Sequence, residues 1–258
     1  MAVADYYLAR TARAVDRLEA NLVPIMFGWT IVMSIACGVR MAFAATPIRG
    51  AIEYLALGAL YALVVAAPIL SAFLALRWFR GGGEMPQPRF RLAQYGRWRS
   101  VARDEARAMR DFGTNGVMFS LLLGMLLNVP LRSGEFLLAI PAAGGGTPGW
   151  YPSLFRLMLA DVVLFSSLYA IAFIAALRHA PLFPRLLVAI WGIDLAMQLC
   201  IAEIMAKTPD LPRDVAMGLL GVLDGNVKKV LISAALWAPY LLLSRRVNLT
   251  YRSRIPLD

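Results

Sequence analysis

Residues 54–78 read YLALGALYALVVAAPILSAFLALRW, an apolar run whose only charge, Arg77, comes one residue before its end. As a helix rising 1.5 Å per residue, this run is longer than the ~30 Å hydrocarbon core of a bilayer. The composition then reverses. Residues 79–112 carry Arg80, Arg89, Arg91, Arg97, Arg99, Arg103, Arg107 and Arg110. An apolar span that ends in a block of arginine is expected of a transmembrane helix emerging on the cytoplasmic side.

The pattern repeats in both directions. Apolar runs at 22–43, 116–131, 153–177, 182–205 and 230–243 join 54–78 to give six expected spans. Hydrophobic residues make up 60% of the chain and charged residues 16%, against roughly a quarter charged in soluble domains. A soluble fold of this size could not hide so much apolar surface. The expected fold is therefore all-α: one transmembrane domain over 1–258, a polytopic helical bundle in a bacterial inner membrane. Pro130 and Glu135 mark the end of the third span. Residues 132–152 read as loop, with an apolar patch at 136–140 able to dip back into the membrane. Residues 207–229 hold only a short apolar stretch at 217–223, read as lying along the surface, and the sixth span is short.

The N-terminal 20 residues lack the pattern of a cleavable signal peptide. Leu8, Ala12, Val15 and Leu18 recur at helical spacing, with Arg10, Arg13 and Arg17 between them, as in an amphipathic helix on a membrane surface. The 79–112 segment opens as loop at Gly81-Gly82-Gly83. It is expected to continue as a helix with Leu92, Tyr95, Val101, Met109 and Phe112 to one side.

Net charge is +10, and the placement of the basic residues sets the topology. If the N-terminus, 77–112, 178–185 and the tail share one side, that side collects about 18 of the 26 basic residues. The positive-inside rule makes it cytoplasmic, and six spans return the C-terminus there. The expected partners are the bilayer, its anionic lipids and other membrane subunits. Aromatic residues among the arginines (Phe90, Tyr95, Trp98) also suit nucleic acid, but the topology favours lipid. Arg89, Arg91, Arg97, Arg99, Arg103 and Arg107 are the expected headgroup or partner contacts.

The C-terminal half carries the stretches Ala235-Leu236-Trp237-Ala238-Pro239-Tyr240, Ser244-Arg245-Arg246-Val247 and Thr250-Tyr251, and the turn Phe183-Pro184-Arg185. Over roughly 153–252 this resembles a family of bacterial multi-pass membrane proteins, domain of unknown function number twenty-five sixty-nine. The chain departs from that pattern at Asn248-Leu249, in two extra N-terminal spans and in the Arg-rich segment. The resemblance implies a membrane protein and brings no catalytic residues with it.

Within the spans, Asp194 is the most informative residue. It lies mid-span with Gln198 one turn further along the same face. A carboxylate at that depth costs roughly 2.5–3.5 kcal/mol on insertion scales if it faces lipid, so it is expected to face the interior. It reads either as a proton or cation relay or as a paired group joining helices. Asp161 and Glu203 belong to the same candidate polar site, with Arg40 or Arg156 as counter-charge, although Glu203 can also pair with Lys207 at i+4. Asn115 and Asn128 can bond across helices. Asn226, Lys228 and Lys229 read as a cluster just outside the sixth span.

His179 is the only histidine, and Cys37 and Cys200, both within apolar runs, lack partners at metal-ligand spacing. No haem, metal site or other cofactor is expected, and no Ser–His–Asp set asks for enzymatic chemistry. The expected function is a non-catalytic membrane subunit or scaffold of a larger complex. The alternatives are a small proton-linked transporter or channel using the intramembrane carboxylates, and a lipid-active enzyme near Asp161, Glu203 and Lys228.

Overall fold

The structure is a computed structural model that describes residues 2–89 and 96–257, with side chains from Asp5 onward. Its long helices are α1 (Ala2–Ala20), α2 (Leu22–Ala42), α3 (Gly50–Trp78), α5 (Val117–Ala139), α6 (Tyr151–Leu177), α7 (Phe183–Ala206) and α8 (Arg213–Leu243). Shorter elements are α4 (Arg103–Ala108), α9 (Arg245–Arg252) and two strands, β1 (Trp98–Ser100) and β2 (Arg254–Pro256). In lipid every backbone N–H and C=O must be satisfied within the segment, so apolar runs of this length form helices. Pro152 and Pro184 sit in the first turns of α6 and α7, where the missing N–H has no intrahelical partner to lose.

Among the described residues, five helices (α2, α3, α5, α6 and α7) are long and apolar enough to cross a membrane. The sixth, α8, has 31 residues, about 46 Å of helix, and runs between the same two ends. It corrects two expectations. The 207–229 segment does not lie along a surface, because α8 is continuous from Arg213 and the sixth crossing is not short. Charged residues in its middle hid it from a reading by hydropathy. The third span likewise does not end near Pro130: α5 continues to Ala139, taking in Arg132, Glu135 and the 136–140 patch up to Ala139. A proline inside a membrane helix is tolerated when neighbours and local adjustment re-satisfy the freed carbonyl.

Helix α6 is the central pillar and is mostly buried, whereas α2 is peripheral and buries little of its length. α3, α5 and α7 pack against α6, and α8 packs against α7. Alanines at 170, 172, 175 and 176 of α6 are buried, and small residues let membrane helices approach closely. The core has two halves. One is built around Val129, Phe165, Trp191 and Val230, the other around Phe136, Met158, Ile201 and Leu223. On each of α5 to α8 a polar residue falls between the two halves, so the apolar core is split by a polar layer.

At one end of the bundle, α1, the described parts of 79–116, the 178–182 turn and the C-terminal tail pack together. Thr11 Oγ1 accepts from Gly116 N at 2.9 Å, Arg178 pairs with Glu19 at 3.1 Å, and Tyr251 Oη donates to Ala176 O at 3.0 Å. Arg245 and Arg246 both reach Asp111, and Arg110 pairs with Asp5. These four segments are the ones that charge counting assigns to a common side. Gly82, at φ +50°, presses its backbone against the Arg178 carbonyl: a Cβ there would lie 2.5 Å from that oxygen. At the other end the 43–49 and 140–150 loops join through Ala45 N to Ala142 O (2.7 Å) and Gly144 N to Thr46 O (3.2 Å).

The Arg-rich segment is not one continuous helix. Its Gly-rich start makes a 3₁₀ turn at Gly82–Glu84. Trp98–Ser100 then pairs antiparallel with Arg254–Pro256, in the register Arg99 to Ile255, and only six residues form α4. Phe90, Arg91, Leu92 and Tyr95 lie outside the described residues. Asn248 is buried. Its amide donates to Leu242 O and Ser244 O, and its oxygen accepts from Arg252 and Arg254.

Candidate functional site: a charged belt across the core

Because α5 continues past Pro130, Arg132 is carried into the bundle and faces α6 and α7. Its Nε donates to Asp161 Oδ2 at 3.0 Å, and Nη2 donates to Asp161 Oδ1 at 2.8 Å. The same Nη2 donates to Asp194 Oδ1 at 2.9 Å, and Nη1 to Asp194 Oδ2 at 2.7 Å. One guanidinium thus forks onto two carboxylates, a geometry that arginine's planar array of donors allows and lysine's ammonium does not. Gln198 Nε2 donates to Asp161 Oδ1 (2.9 Å) and Asp194 Oδ1 (3.1 Å), and Asn226 Nδ2 donates to Gln198 Oε1 at 3.2 Å. Four helices, α5 to α8, are tied at one level. The Phe165 ring lies 4.2 Å from the guanidinium carbon, close enough for a cation–π contact.

The side chains of Arg132, Asp161 and Asp194 are only 9%, 3% and 0% exposed. With all three ionised, the belt carries one negative charge in excess. Asp194 is the twelfth of the 24 residues of α7, which places the belt near the middle of the membrane.

A polar cavity of about 90 Å³ reaches the belt between α5 and α8. Asp194, Arg132, Asn226, Tyr169, Asn128 and Ser233 line it, and it has room for several waters. The Oδ1 of Asn128 is buried without a hydrogen-bond partner among the described residues, a polar atom that water in the cavity would satisfy. At the mouth, Lys229 pairs with Glu135, their side chains 58% and 41% exposed. Lys228 pairs with Asp224 at 2.6 Å beside it, also on the outer surface.

Of the residues marked from sequence, the structure brings together Asp161, Asp194 and Gln198. It places the others elsewhere. Arg40 is not the counter-charge: its Nε donates to Ile140 O at 3.3 Å, at the loop end of the bundle. Arg156 is exposed, its Nε bonded to Pro152 O. Glu203 takes its local partner Lys207 at 2.5 Å. Asn226 is part of the belt, not of a solvated cluster. Asn115 accepts from Arg246. Cys37 is buried, but Cys200 is exposed on the bundle surface.

Arg132 is absent from the residues marked from sequence because Pro130 and Glu135 read there as the end of a span. The available signal was an unmatched pair of membrane carboxylates, which demands a cation at the same depth. Among the rim arginines, Arg103 donates to Met85 O at 3.0 Å, and Arg107 pairs with Glu84 at 3.2 Å. Arg89, Arg97 and Arg99 are exposed. His179, in the turn between α6 and α7, stacks edge-on to Phe112 at 5.1 Å. Burial, and then the nearby Arg107 and Arg178, push its pKa down to about 4.

No family model matches the chain, and no curated protein or solved structure is significantly similar to it.

Proposed function

We propose that this chain is an integral subunit of a larger inner-membrane assembly whose α5–α8 face is covered by another membrane protein. One observation carries this reading: four charged side chains on the outside of the bundle at the depth of the belt. Glu135 is three residues beyond Arg132, and Asp224, Lys228 and Lys229 lie within three residues of Asn226, each within about one helical turn. Lysine can snorkel to an interface from a helix end, but from mid-membrane the distance to water is about 15 Å. Each such charge against lipid costs roughly 2.5–3.5 kcal/mol. Ion pairing lowers that cost, and a protein neighbour with matching polar groups removes most of what is left.

The test is gentle extraction of the native protein, with a photo-crosslinking residue in place of Lys228. The expected result is a stoichiometric membrane protein that co-purifies and crosslinks at this position. Recovery as a lone species with no crosslink would overturn the proposal, and a crosslink only to a second copy would replace the partner by a homo-oligomer.

A second reading is supported by the belt itself: a proton-linked transporter or channel. Two carboxylates share one arginine and meet a cavity with room for several waters, the kind of intramembrane arrangement found along proton pathways. Proteoliposomes loaded with a pH-sensitive dye test it. Asp194→Asn is expected to abolish a proton flux present in wild type, and a wild-type protein with no flux would remove this reading.

A further inference from the structure

Away from the belt cavity, two neighbouring cavities along α5 make up a candidate groove, one near the packed end and one toward the middle of the bundle. Its lower part, about 520 Å³, lies between α1 and the start of α5 and is walled by Arg10, Thr11, Ala14, Ser120 and Gly124. Its upper part, about 320 Å³, lies among α2, α3, α5 and α6. There the walls are apolar, with Trp29, Val32, Ala72, Pro130 and Phe173 among them. The two parts share Leu127 as a wall. Along α5 they extend from Phe119 to Pro130, about 16 Å at 1.5 Å per residue, or half of the ~30 Å hydrocarbon core.

We infer that this groove is a binding site for one anionic phospholipid of the leaflet on which α1 lies. Three observations carry the inference. First, the depth matches one leaflet, and the upper walls offer nothing to a polar ligand, so an acyl chain fits there. Second, the lower end is marked by Arg10, which is exposed and has no hydrogen-bond or ion-pair partner among the described residues. Arg17 lies two turns along the same face. A guanidinium at headgroup depth recognises a phosphate by paired N–H donors, and basic residues at a membrane surface favour anionic lipids.

Third, a glycine lines each part of the groove. Gly28 lines the upper part and Gly124 the lower, and a Cβ added at either would meet nothing within 4 Å. Glycine in a helix interior costs about 1 kcal/mol relative to alanine, and at these two positions the structure offers no close packing in return. The Trp29 ring is held in the wall by a 2.9 Å bond from Nε1 to Val65 O on α3. It is therefore a fixed reporter of whatever enters.

The experiment uses the full chain in phosphatidylcholine vesicles, with either phosphatidylglycerol or phosphatidylcholine bearing brominated acyl chains. The quenching signal of Trp29 is the difference between wild type and Trp29→Phe. Brominated phosphatidylglycerol is expected to quench that component at about fivefold lower mole fraction than brominated phosphatidylcholine, the effect of one basic side chain worth about 1 kcal/mol at a surface. Arg10→Gln is expected to remove the preference while chain-dependent quenching persists. Gly28→Phe, which fills open space, is expected to abolish quenching of Trp29 by both lipids with no loss of thermal stability. Equal quenching by the two lipids in wild type, or a preference that survives Arg10→Gln, would show bulk lipid only. No quenching at all would mean a closed groove or a protein occupant. Any of these results overturns the inference.

Discussion

At the scale of single residues, the belt is governed by charge balance. Removing Arg132 leaves two buried carboxylates without a cation, whereas removing one aspartate leaves a neutral arginine–aspartate pair. Breaking a buried pair by deleting the partner common to both sides costs about 3–5 kcal/mol. Arg132→Leu is therefore expected to destabilise the protein by that amount, and Asp194→Asn by markedly less. Unfolding in mixed micelles checks the order, and equal losses would show that the three groups do not act as one unit. His179 gives a pH prediction. The fold favours its neutral form, with a pKa of about 4 against about 6.5 unfolded. The unfolded chain therefore binds the proton first on acidification. Stability is full above pH ~6.5, falls as pH drops toward 4 and then levels off. His179 sits at φ +54°, which asparagine tolerates, so His179→Asn is expected to flatten melting temperature across that window.

At the scale of elements, turns and helix ends decide what was readable. Gly82 needs both its positive φ and its missing side chain. Gly82→Ala is expected to cost about 1–3 kcal/mol of local strain and to loosen the 79–89 segment from the 178–180 turn, seen as faster proteolysis at Arg80 and Arg89. The long apolar runs were legible because their length and composition leave helix as the only option in lipid. Asp161, Asp194 and Gln198 were legible as interior residues because their cost against lipid is large. The span ends were not. Pro130 looked like a stop, and the charges of α8 looked like loop, because both features mean one thing in an isolated helix and another beside neighbours. The β1–β2 pairing joins residues more than 150 positions apart, and nothing local in either segment announces it.

At the scale of the whole molecule, charge counting and packing converge on one arrangement: α1, the described parts of 79–116, the 178–182 turn and the tail at one end, three loops at the other. Cysteines at Arg89 and Leu257, in a background without Cys37 and Cys200, are expected to react with a membrane-impermeant maleimide from the same compartment. Cysteines at Gly149 and Pro209 are expected to react only from the opposite one. Labelling of all four from one side would break the six-crossing arrangement. The two outer faces differ as well. The α2 side is apolar and grooved, suited to lipid, while the α5–α8 side is charged at mid-depth and suited to protein.

The shared guanidinium also bears on how the chain is made. Arg132 and Asp161 lie on consecutive helices joined by the short 140–150 loop, and each alone faces a barrier of roughly 2.5–3.5 kcal/mol on entering the bilayer at its centre. Entering together, already paired, they present the lipid with a near-neutral hairpin. Biogenesis is then expected to proceed by retention of α5 at the insertion site until α6 emerges from the ribosome. A nascent chain ending before residue 151 should leave α5 poorly integrated, and one extended through residue 177 should restore it, as read by glycosylation mapping in microsomes.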